Sequence, residues 1–442
     1  AIILASVAKP TALRNESLLK LLYTTLFTLG LPFIVLRLIW RGFRAPAYWK
    51  RWPERFGASP ILSQKPVIWI HAVSVGEVEA CRPLVKALQT EYPEHQLLIT
   101  TMTPTGSARV TLLFPDSVAH CYLPYDLPFA IKRFLNRTKP QFGIIMETEI
   151  WPNLLSTCHQ SDIPLVLANA RLSERSAKGY ARFPGFIRST LNNLSLIAAQ
   201  GVDDKKRFQQ LGSENKKVHV IGNLKYEISL PASLKEQASA MRNMWDNNRP
   251  VLVAASTHEG EEEMLLNAAR QIRAHFADLL LIIVPRHPER FDRVSALAQK
   301  SGVKTLRRSA HRPCPSDVQV LIVDTMGELP LFYAASDVAF VGGSLVPHGG
   351  HNLLEPAILG RAVVTGPHFF NFNEITKQFL TANAALQVSD TQELAKTVIT
   401  LLKNSEQRAH MTEAGLKLIA NSQGASTRLV NLIKHNITRN EK

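Results

Sequence analysis

Cysteine is scarce: the chain carries four, Cys81, Cys121, Cys158 and Cys314, widely spread and without a Cys-x-x-Cys pair. That excludes a zinc ribbon and a disulfide scaffold, and it fits a reducing compartment. No Asp-x-Asp pair occurs anywhere, which argues against a metal ion clamped on a diphosphate leaving group. Short repeats and low-complexity tracts are also missing. Acidic residues are the minority charge, 36 Asp and Glu against 51 Lys and Arg, for a net charge of +15. Such a balance attracts acidic partners, whether nucleic acid, anionic lipid or an acidic substrate, without choosing among them. The 442 residues are 45% hydrophobic, enough for two cores of ordinary size and too apolar for disorder.

The chain opens on Ala1 instead of Met, as a processed or truncated chain does, and Ala1 to Glu16 form a polar, unpatterned leader. Leu18 to Trp40 is strongly apolar, but its uncharged core, Leu21 to Leu36, is 16 residues long and contains Gly30 and Pro32. A spanning helix needs about 20 residues, so a shallow anchor competes with a true span. Membrane association of one kind or the other is expected over a buried core helix. Arg37, Arg41, Arg44, Lys50, Arg51 and Arg55 follow, the first three on one helical face and able to meet lipid phosphates. Positive charge behind the apolar run places the body on the cytoplasmic side. Arg37 and Arg41 stand between that run and Ala45-Pro-Ala47, where a cleaved signal peptide would put small residues directly, so export is disfavoured.

From Pro66 onward short apolar runs alternate with amphipathic stretches, the pattern of a parallel sheet covered by helices. Expected strands are Val67–Val73, Gln96–Thr101, Phe142–Met146, Leu165–Ala168 and Leu196–Ala199. A second series follows: Val251–Ala255, Leu279–Val284, Val318–Val323, Val338–Val341 and Ala362–Thr365. Lys225 to Arg249 lacks an apolar strand and is placed as the hinge. The expected division is a leader and anchor over residues 1–45, one Rossmann-like domain over 46–235 and a second over 236–442.

Ligands of open α/β sheets collect beyond the carboxyl ends of the strands. There lie Ser74-Val-Gly-Glu77, Glu147-Thr-Glu149, Ser256-Thr-His-Glu-Gly260, Pro285-Arg-His-Pro-Glu289-Arg and Asp324-Thr-Met-Gly-Glu328. Acidic and basic tips from two sheets facing a shared cleft describe a two-domain enzyme of the GT-B glycosyltransferase kind. The stretch from Phe340 to Pro356 reads as a buried strand, a double glycine, a loop through Gly349 and Gly350, and a helix opening near Asn352. Glycines let backbone N–H groups approach a ligand, and a helix start favours an anion, so this is phosphate-binding geometry. Glu355 would then meet ribose hydroxyls. Equally, Asn352-x-x-Glu355 reads as a helix cap, and the loop is not Gly-x-Gly-x-x-Gly. His348-x-x-His351 lacks a nearby cysteine and is a poor metal site.

His71-Ala-Val-Ser-Val-Gly-Glu77, Thr101-Met-Thr-Pro-Thr-Gly-Ser107, Met146-Glu-Thr-Glu-Ile-Trp-Pro-Asn153, Asn169-Ala-Arg-Leu-Ser173, Gly222-Asn-Leu-Lys225, Pro285-Arg-His-Pro-Glu-Arg290 and Gly350-His-Asn-Leu-Leu-Glu355 together resemble the bacterial Kdo transferases of lipopolysaccharide inner-core synthesis. The resemblance runs from about Leu18 to about Ala425. It implies a GT-B fold and transfer of 3-deoxy-D-manno-octulosonic acid (Kdo) from CMP-Kdo to a lipid A precursor, a tetraacyl disaccharide bisphosphate, with release of CMP. It also implies an anchor at the cytoplasmic face of the inner membrane. An acidic glycolipid acceptor and anionic membrane lipid give a basic protein an electrostatic purpose.

The resemblance makes Glu77 the base that takes the acceptor hydroxyl proton as the anomeric carbon gains oxocarbenium character, with inversion. Its place at a helix mouth is expected to keep the carboxylate ionised. Glu147 and Lys225 are implied as groups stabilising the transition state. Against these stand ordinary readings: a capping box Ser74-x-x-Glu77, a helix-start acid at Glu147, a solvated lysine at Lys225. For CMP the resemblance points to Pro285, Arg286, Met326, Gly327, Glu328, Asn352, Leu353, Leu354 and Glu355, the two leucines being core residues on the alternative reading. Gly342, Gly343, Ser344, Ser256 and Arg171 are lining residues of unassigned role. A monophosphate leaving group needs little charge neutralisation, so no metal and no cofactor is expected. The competing functions are a UDP-sugar-dependent GT-B transferase, a nucleotide-sugar epimerase, and a membrane-tethered basic nucleic-acid module. Acidic tips and the lack of a nucleic-acid motif argue against the last.

Overall fold

The computed structural model describes residues 9–62, 65–228 and 230–437. The chain forms two compact units, Ala1–Glu227 with Ser422–Lys442, and Ile228–Asn421.

The first unit is built on seven parallel strands: β1 (Val67–His71), β2 (Gln96–Thr101), β3 (Ala119–Tyr122), β4 (Pro140–Met146), β5 (Leu165–Ala170), β6 (Leu196–Ala199) and β7 (Val218–Val220). Their order is β3-β2-β1-β4-β5-β6-β7. All five residues of β1 are buried, which is why it reads as an unbroken apolar run: a strand covered by helices on both faces has no solvent side to mark. Ile68, Ile70 and Ile144 face one layer of helices, and Trp69, Ile145 and Leu167 the other. The last helix, Ala425–Asn436, packs Leu429 and Ile433 into the first of these layers. Each such burial is worth about 1.5–3 kcal/mol. Ser426 N also donates to Glu227 Oε1 at 2.8 Å.

The second unit repeats the design with β8 (Val251–Thr257), β9 (Leu280–Pro285), β10 (Thr305–Arg307), β11 (Val320–Ile322), β12 (Val338–Val341), β13 (Ala362–Thr365) and β14 (Ala385–Gln387). The order is β10-β11-β9-β8-β12-β13-β14, again all parallel.

Two expectations about chain division are corrected. The first boundary lies at Glu227/Ile228, not 235/236, and the chain returns to the first unit at Ser422. The supposed hinge contains the helix Leu234–Trp245, which buries Ala238, Met241 and Trp245 in the second unit and stacks Trp245 on Phe332 at 6.4 Å.

One helix runs from Lys9 to Arg44, so the described part of the leader is helical; residues 1–8 lie outside the described residues. Its segment Leu18–Arg44, 27 residues with a mean hydropathy of 1.8, is long and apolar enough to cross a membrane. The two sides of this helix differ. Leu22, Leu26, Leu29, Phe33, Leu36, Trp40 and Phe43 recur at alternating spacings of four and three and are all exposed, forming one apolar stripe. The opposite side docks on the first unit: Tyr23 Oη donates to Asp126 Oδ2 at 2.8 Å, Thr24 Oγ1 to Asn153 Oδ1 at 2.9 Å, and Lys20 bonds Ser156. Phe27, Leu31 and Ile34 complete the seam against Tyr125, Leu127 and Ala130. At the far end Arg44 lies over the Trp40 ring at 4.3 Å and Arg41 over Tyr48 at 5.2 Å.

Candidate active site

In the first unit three acidic side chains and one lysine come together from three chain segments. β1 ends at His71, and the backbone turns through Ala72–Ser74 into the short helix Val75–Ala80, with Ser74 as its N-cap. Glu77 sits in its first turn. Its Oε2 accepts from Val73 N at 2.8 Å and its Oε1 from Ser74 Oγ at 3.1 Å, so the carboxylate reaches back over the turn much as a capping box does. The Ser74 side chain caps no backbone N–H, so the capping box itself is not formed, and the two bonds hold the carboxylate in place. The expectation of a fully ionised carboxylate is corrected to a partly ionised one: burial, with the charges of Glu147 and Glu149 adding to it, raises Glu77 to about 7 against the pull of the Val73 bond.

Glu147 follows β4 with a positive φ of 59°, a conformation uncommon for a residue with a Cβ. Its N–H is tied to Ala168 O at 2.8 Å. Glu147 Oε1 lies 2.7 Å from Lys225 Nζ, both side chains only about a quarter exposed or less (20% and 27%). The solvated-lysine reading of Lys225 fails on that contact. Lys225 is placed by two asparagines: Asn223 Oδ1 accepts from Lys225 N at 3.0 Å, and the buried Asn169 Oδ1 accepts from Leu224 N at 3.0 Å. Asn169 itself has a φ of 51° at the end of β5. Glu149 accepts from Trp151 Nε1 at 2.7 Å, and burial raises its carboxyl above the usual range. His71, wholly buried, bonds Thr100 Oγ1 through Nδ1 at 2.9 Å, and its burial lowers it to about 4. Glu149, Asn169 and His71 were visible only as letters inside motifs; their positioning roles depend on contacts between distant strands.

In the second unit the candidate donor residues share the carboxyl edge of the sheet. Pro285 ends β9, and Arg286 beyond it is exposed, its N–H held by Thr257 O at 3.1 Å. Met326 is 68% exposed and Gly327 has a φ of 87°, both in the loop after β11, the strand paired with β9. Glu328 is occupied by Arg308 Nη2 at 2.8 Å and by Thr325. After β12, Leu353 and Leu354 are fully buried, as core residues would be. Asn352 Oδ1 accepts from Leu354 N at 3.1 Å and its amide meets Glu355 Oε1 at 3.4 Å, so the capping reading of this pair holds. The helix it caps is short, Leu354–Ile358.

The double glycine departs from expectation. Gly343 N, Ser344 N and Leu345 N donate to the carboxylate of Glu261 at 2.7, 3.0 and 3.0 Å, and His258 N does so at 3.0 Å. The anion gripped by these N–H groups is thus an internal one. Ser256, also assigned no role, takes a φ of 55° at the tip of β8. Around Arg286 the pair His348 and His351 is joined by two histidines from other loops: the His258 ring stacks on His348 at 4.2 Å and on His351 at 5.2 Å, with His287 at 5.6 Å. His258 Nε2 and His351 Nε2 are 2.9 Å apart. Burial and neighbouring arginines and histidines lower His258 to about 4 and His351 to about 3, so both are neutral at pH 7. Among the described residues no group of His, Cys, Asp or Glu is arranged to hold a metal ion.

Comparison with known proteins supplies the family. Residues 50–228 match the family model described as 3-deoxy-D-manno-octulosonic-acid transferase (kdotransferase), and residues 246–418 match glycosyl transferases group 1. A 3-deoxy-D-manno-octulosonic acid transferase from Haemophilus influenzae is 43% identical over 95% of this chain and 99% of its own length. One from Bordetella pertussis is 36% identical over 93% and 98%. A solved UDP-GlcNAc 2-epimerase from Neisseria meningitidis, 16% identical, aligns over 84% of this chain and all (100%) of its own at a TM-score of 0.56, a likeness of GT-B-type fold alone.

Proposed function

Because the chain belongs to the Kdo transferase family and is a glycosyltransferase, we propose that it moves Kdo from CMP-Kdo to a lipid A precursor with inversion, releasing CMP. Glu77 is the base: it takes the acceptor hydroxyl proton, the hydroxyl oxygen bonds to the anomeric carbon, and the bond from that carbon to the phosphate oxygen breaks with its electron pair leaving on CMP. The observation that carries this reading is a carboxylate raised to about 7, held by Val73 N and Ser74, beside a Glu147–Lys225 pair. A base titrating near the working pH combines a usable ionised fraction with real proton affinity. Glu147 faces the developing positive charge of the sugar, and Lys225, fixed by that same carboxylate, answers the donor's negative charge. In the second unit Arg286 and the residues 326–328 and 352–355 take CMP, Arg286 offering its planar fork of donors to the phosphate. The lack of an Asp-x-Asp pair and the monophosphate leaving group support transfer without a metal or other cofactor.

The apolar stripe Leu22–Phe43 is proposed to lie in the inner membrane, with the opposite side of the helix kept on the body by Tyr23 and Thr24. A helix docked along one side and bare along the other suits an interfacial anchor, and the Arg41–Tyr48 and Arg44–Trp40 pairs suit a headgroup layer on the cytoplasmic face. The test is incubation of the purified protein with CMP-Kdo and a tetraacyl disaccharide bisphosphate, with products read by mass. Addition of Kdo in one or more units is expected. Absence of any adduct, or equal transfer from a UDP-sugar, contradicts the reading.

A further inference from the structure

Beside the anchor helix the first unit contains a cavity of about 490 Å³ that the catalytic residues do not use. Its walls come from three places: Tyr23 on the anchor helix, Ile150 after Glu149, and Tyr180, Phe183, Phe186 and Ile187 on the two helices Glu174–Tyr180 and Pro184–Asn192 and the turn between them. The lining is predominantly aromatic and aliphatic, and its volume is that of a small-molecule site, about 300–1,000 Å³. Phe183 is 54% exposed, an apolar lip open to the outside.

We propose that this cavity holds one acyl chain of the lipid acceptor; the inference rests on the transferase reading above and adds a subsite to it. Three observations favour that occupant. The cavity is walled by Tyr23 on the docked side of the anchor helix, one residue from Leu22 of the bare stripe that would lie among acyl chains, so the path for a tail from the bilayer is short. Its inner wall adjoins the carboxylate cluster at Glu149: Ile150 and Pro152 flank Trp151, whose Nε1 donates to Glu149, and the Glu149 charge acts on Tyr180. A tail seated here therefore leaves its own sugar headgroup at the carboxylate cluster, which a tail of bulk phospholipid has no reason to do. The segment forming the outer wall also carries exposed Arg175, Arg182 and Arg188, complementary to the phosphates of an acidic glycolipid.

The experiment uses the full-length protein in vesicles and a tetraacyl disaccharide bisphosphate with a diazirine at one acyl terminus, alongside phosphatidylethanolamine carrying the same group. Labelling of residues 174–190 by the acceptor and not by the phospholipid is expected. Gly179→Phe, placed at a lining position where an added Cβ meets no atom within 4 Å, should raise KM for the acceptor about tenfold or more while KM for CMP-Kdo stays put. Labelling confined to the exposed stripe, equal labelling by phospholipid, or a KM rise shared by the donor overturns the subsite. Transfer of Kdo to the diazirine acceptor is followed in the same tubes: if transfer proceeds while labelling goes elsewhere, only the subsite falls, whereas no transfer at all removes the underlying reading as well.

Discussion

Lys225 Nζ stands 2.7 Å from Glu147 Oε1, and the turn bearing Lys225 is held to β5 by Asn169. A fixed ammonium in a half-buried site does more electrostatic work than a mobile one, because it needs no reorganisation as charge develops. Lys225→Met is expected to lower kcat about 100-fold or more, with a much smaller change in KM for the acceptor. Glu147→Gln should cost a comparable factor, and the double variant little more than either single one, since each change already breaks the pair. Steady-state kinetics on the four proteins decides it; strictly multiplicative losses would mean that the two side chains act independently.

The raised Glu77 carboxyl predicts the pH profile. Only the ionised form is a base, so kcat/KM should rise about tenfold per pH unit below 7 and level off above it. Glu149 contributes to the rise by repulsion, so Glu149→Gln should move the midpoint to lower pH. For stability the sign is opposite to that of activity. The folded state holds this proton more tightly than an unfolded glutamate does at about 4.5, so its stabilising contribution is full below 4.5 and is lost as pH rises through about 7. A profile flat between pH 6 and 8, or a midpoint raised by Glu149→Gln, would count against the cluster.

Glu261 closes the glycine-rich turn of the second unit by accepting from four backbone N–H groups while fully buried (0% exposed). Removing it strands those donors at about 1–3 kcal/mol each, partly relieved by water. Glu261→Ala is therefore expected to destabilise this unit by at least about 3 kcal/mol, seen in calorimetry as a fall of about 6–12 °C. A shift under a degree would show that the internal anion is dispensable.

The histidine group gives the second unit an acid sensitivity of its own. His258 and His351 resist protonation when folded, to about 4 and about 3, whereas unfolded histidines take protons near 6.5. The unfolded state then binds more protons, so stability falls as pH drops from about 6.5 towards 4. Thermal unfolding followed across that range should show His351→Asn losing less than the wild type on acidification; an equal loss would place the sensitivity elsewhere.

The central strands were legible because strands buried on both faces must be written in uninterrupted apolar residues; Gln96–Thr101, Leu196–Ala199, Val338–Val341 and Ala362–Thr365 came out with the expected ends. The four strands not foreseen, β3, β7, β10 and β14, are three or four residues long, lie toward the sheet margins, and include sequences such as Ala-His-Cys-Tyr and Thr-Leu-Arg that carry no such run. Glu77 and Glu147 could be picked out as acids at strand ends. The shift at Glu77 could not, since it comes first from burial and then from the carboxylates of Glu147 and Glu149, both set by the tertiary fold. Glu261 opens a helix as Glu261-Glu262-Glu263, which reads as an ordinary complement to the helix dipole. The histidines gather from three loops, so spacing announces only the pair His348 and His351, and the return of Ala425–Asn436 to the first unit is a long-range contact with no local signature.

The most direct test of the account separates donor binding from proton removal. Glu77→Ala should keep CMP affinity, measured by calorimetric titration, within a few-fold of the wild type, while transfer of Kdo to the lipid acceptor, read by product mass, falls by at least about 100-fold. Loss of transfer with CMP binding intact is the result predicted; turnover near the wild-type rate would contradict the assignment of Glu77 as the base.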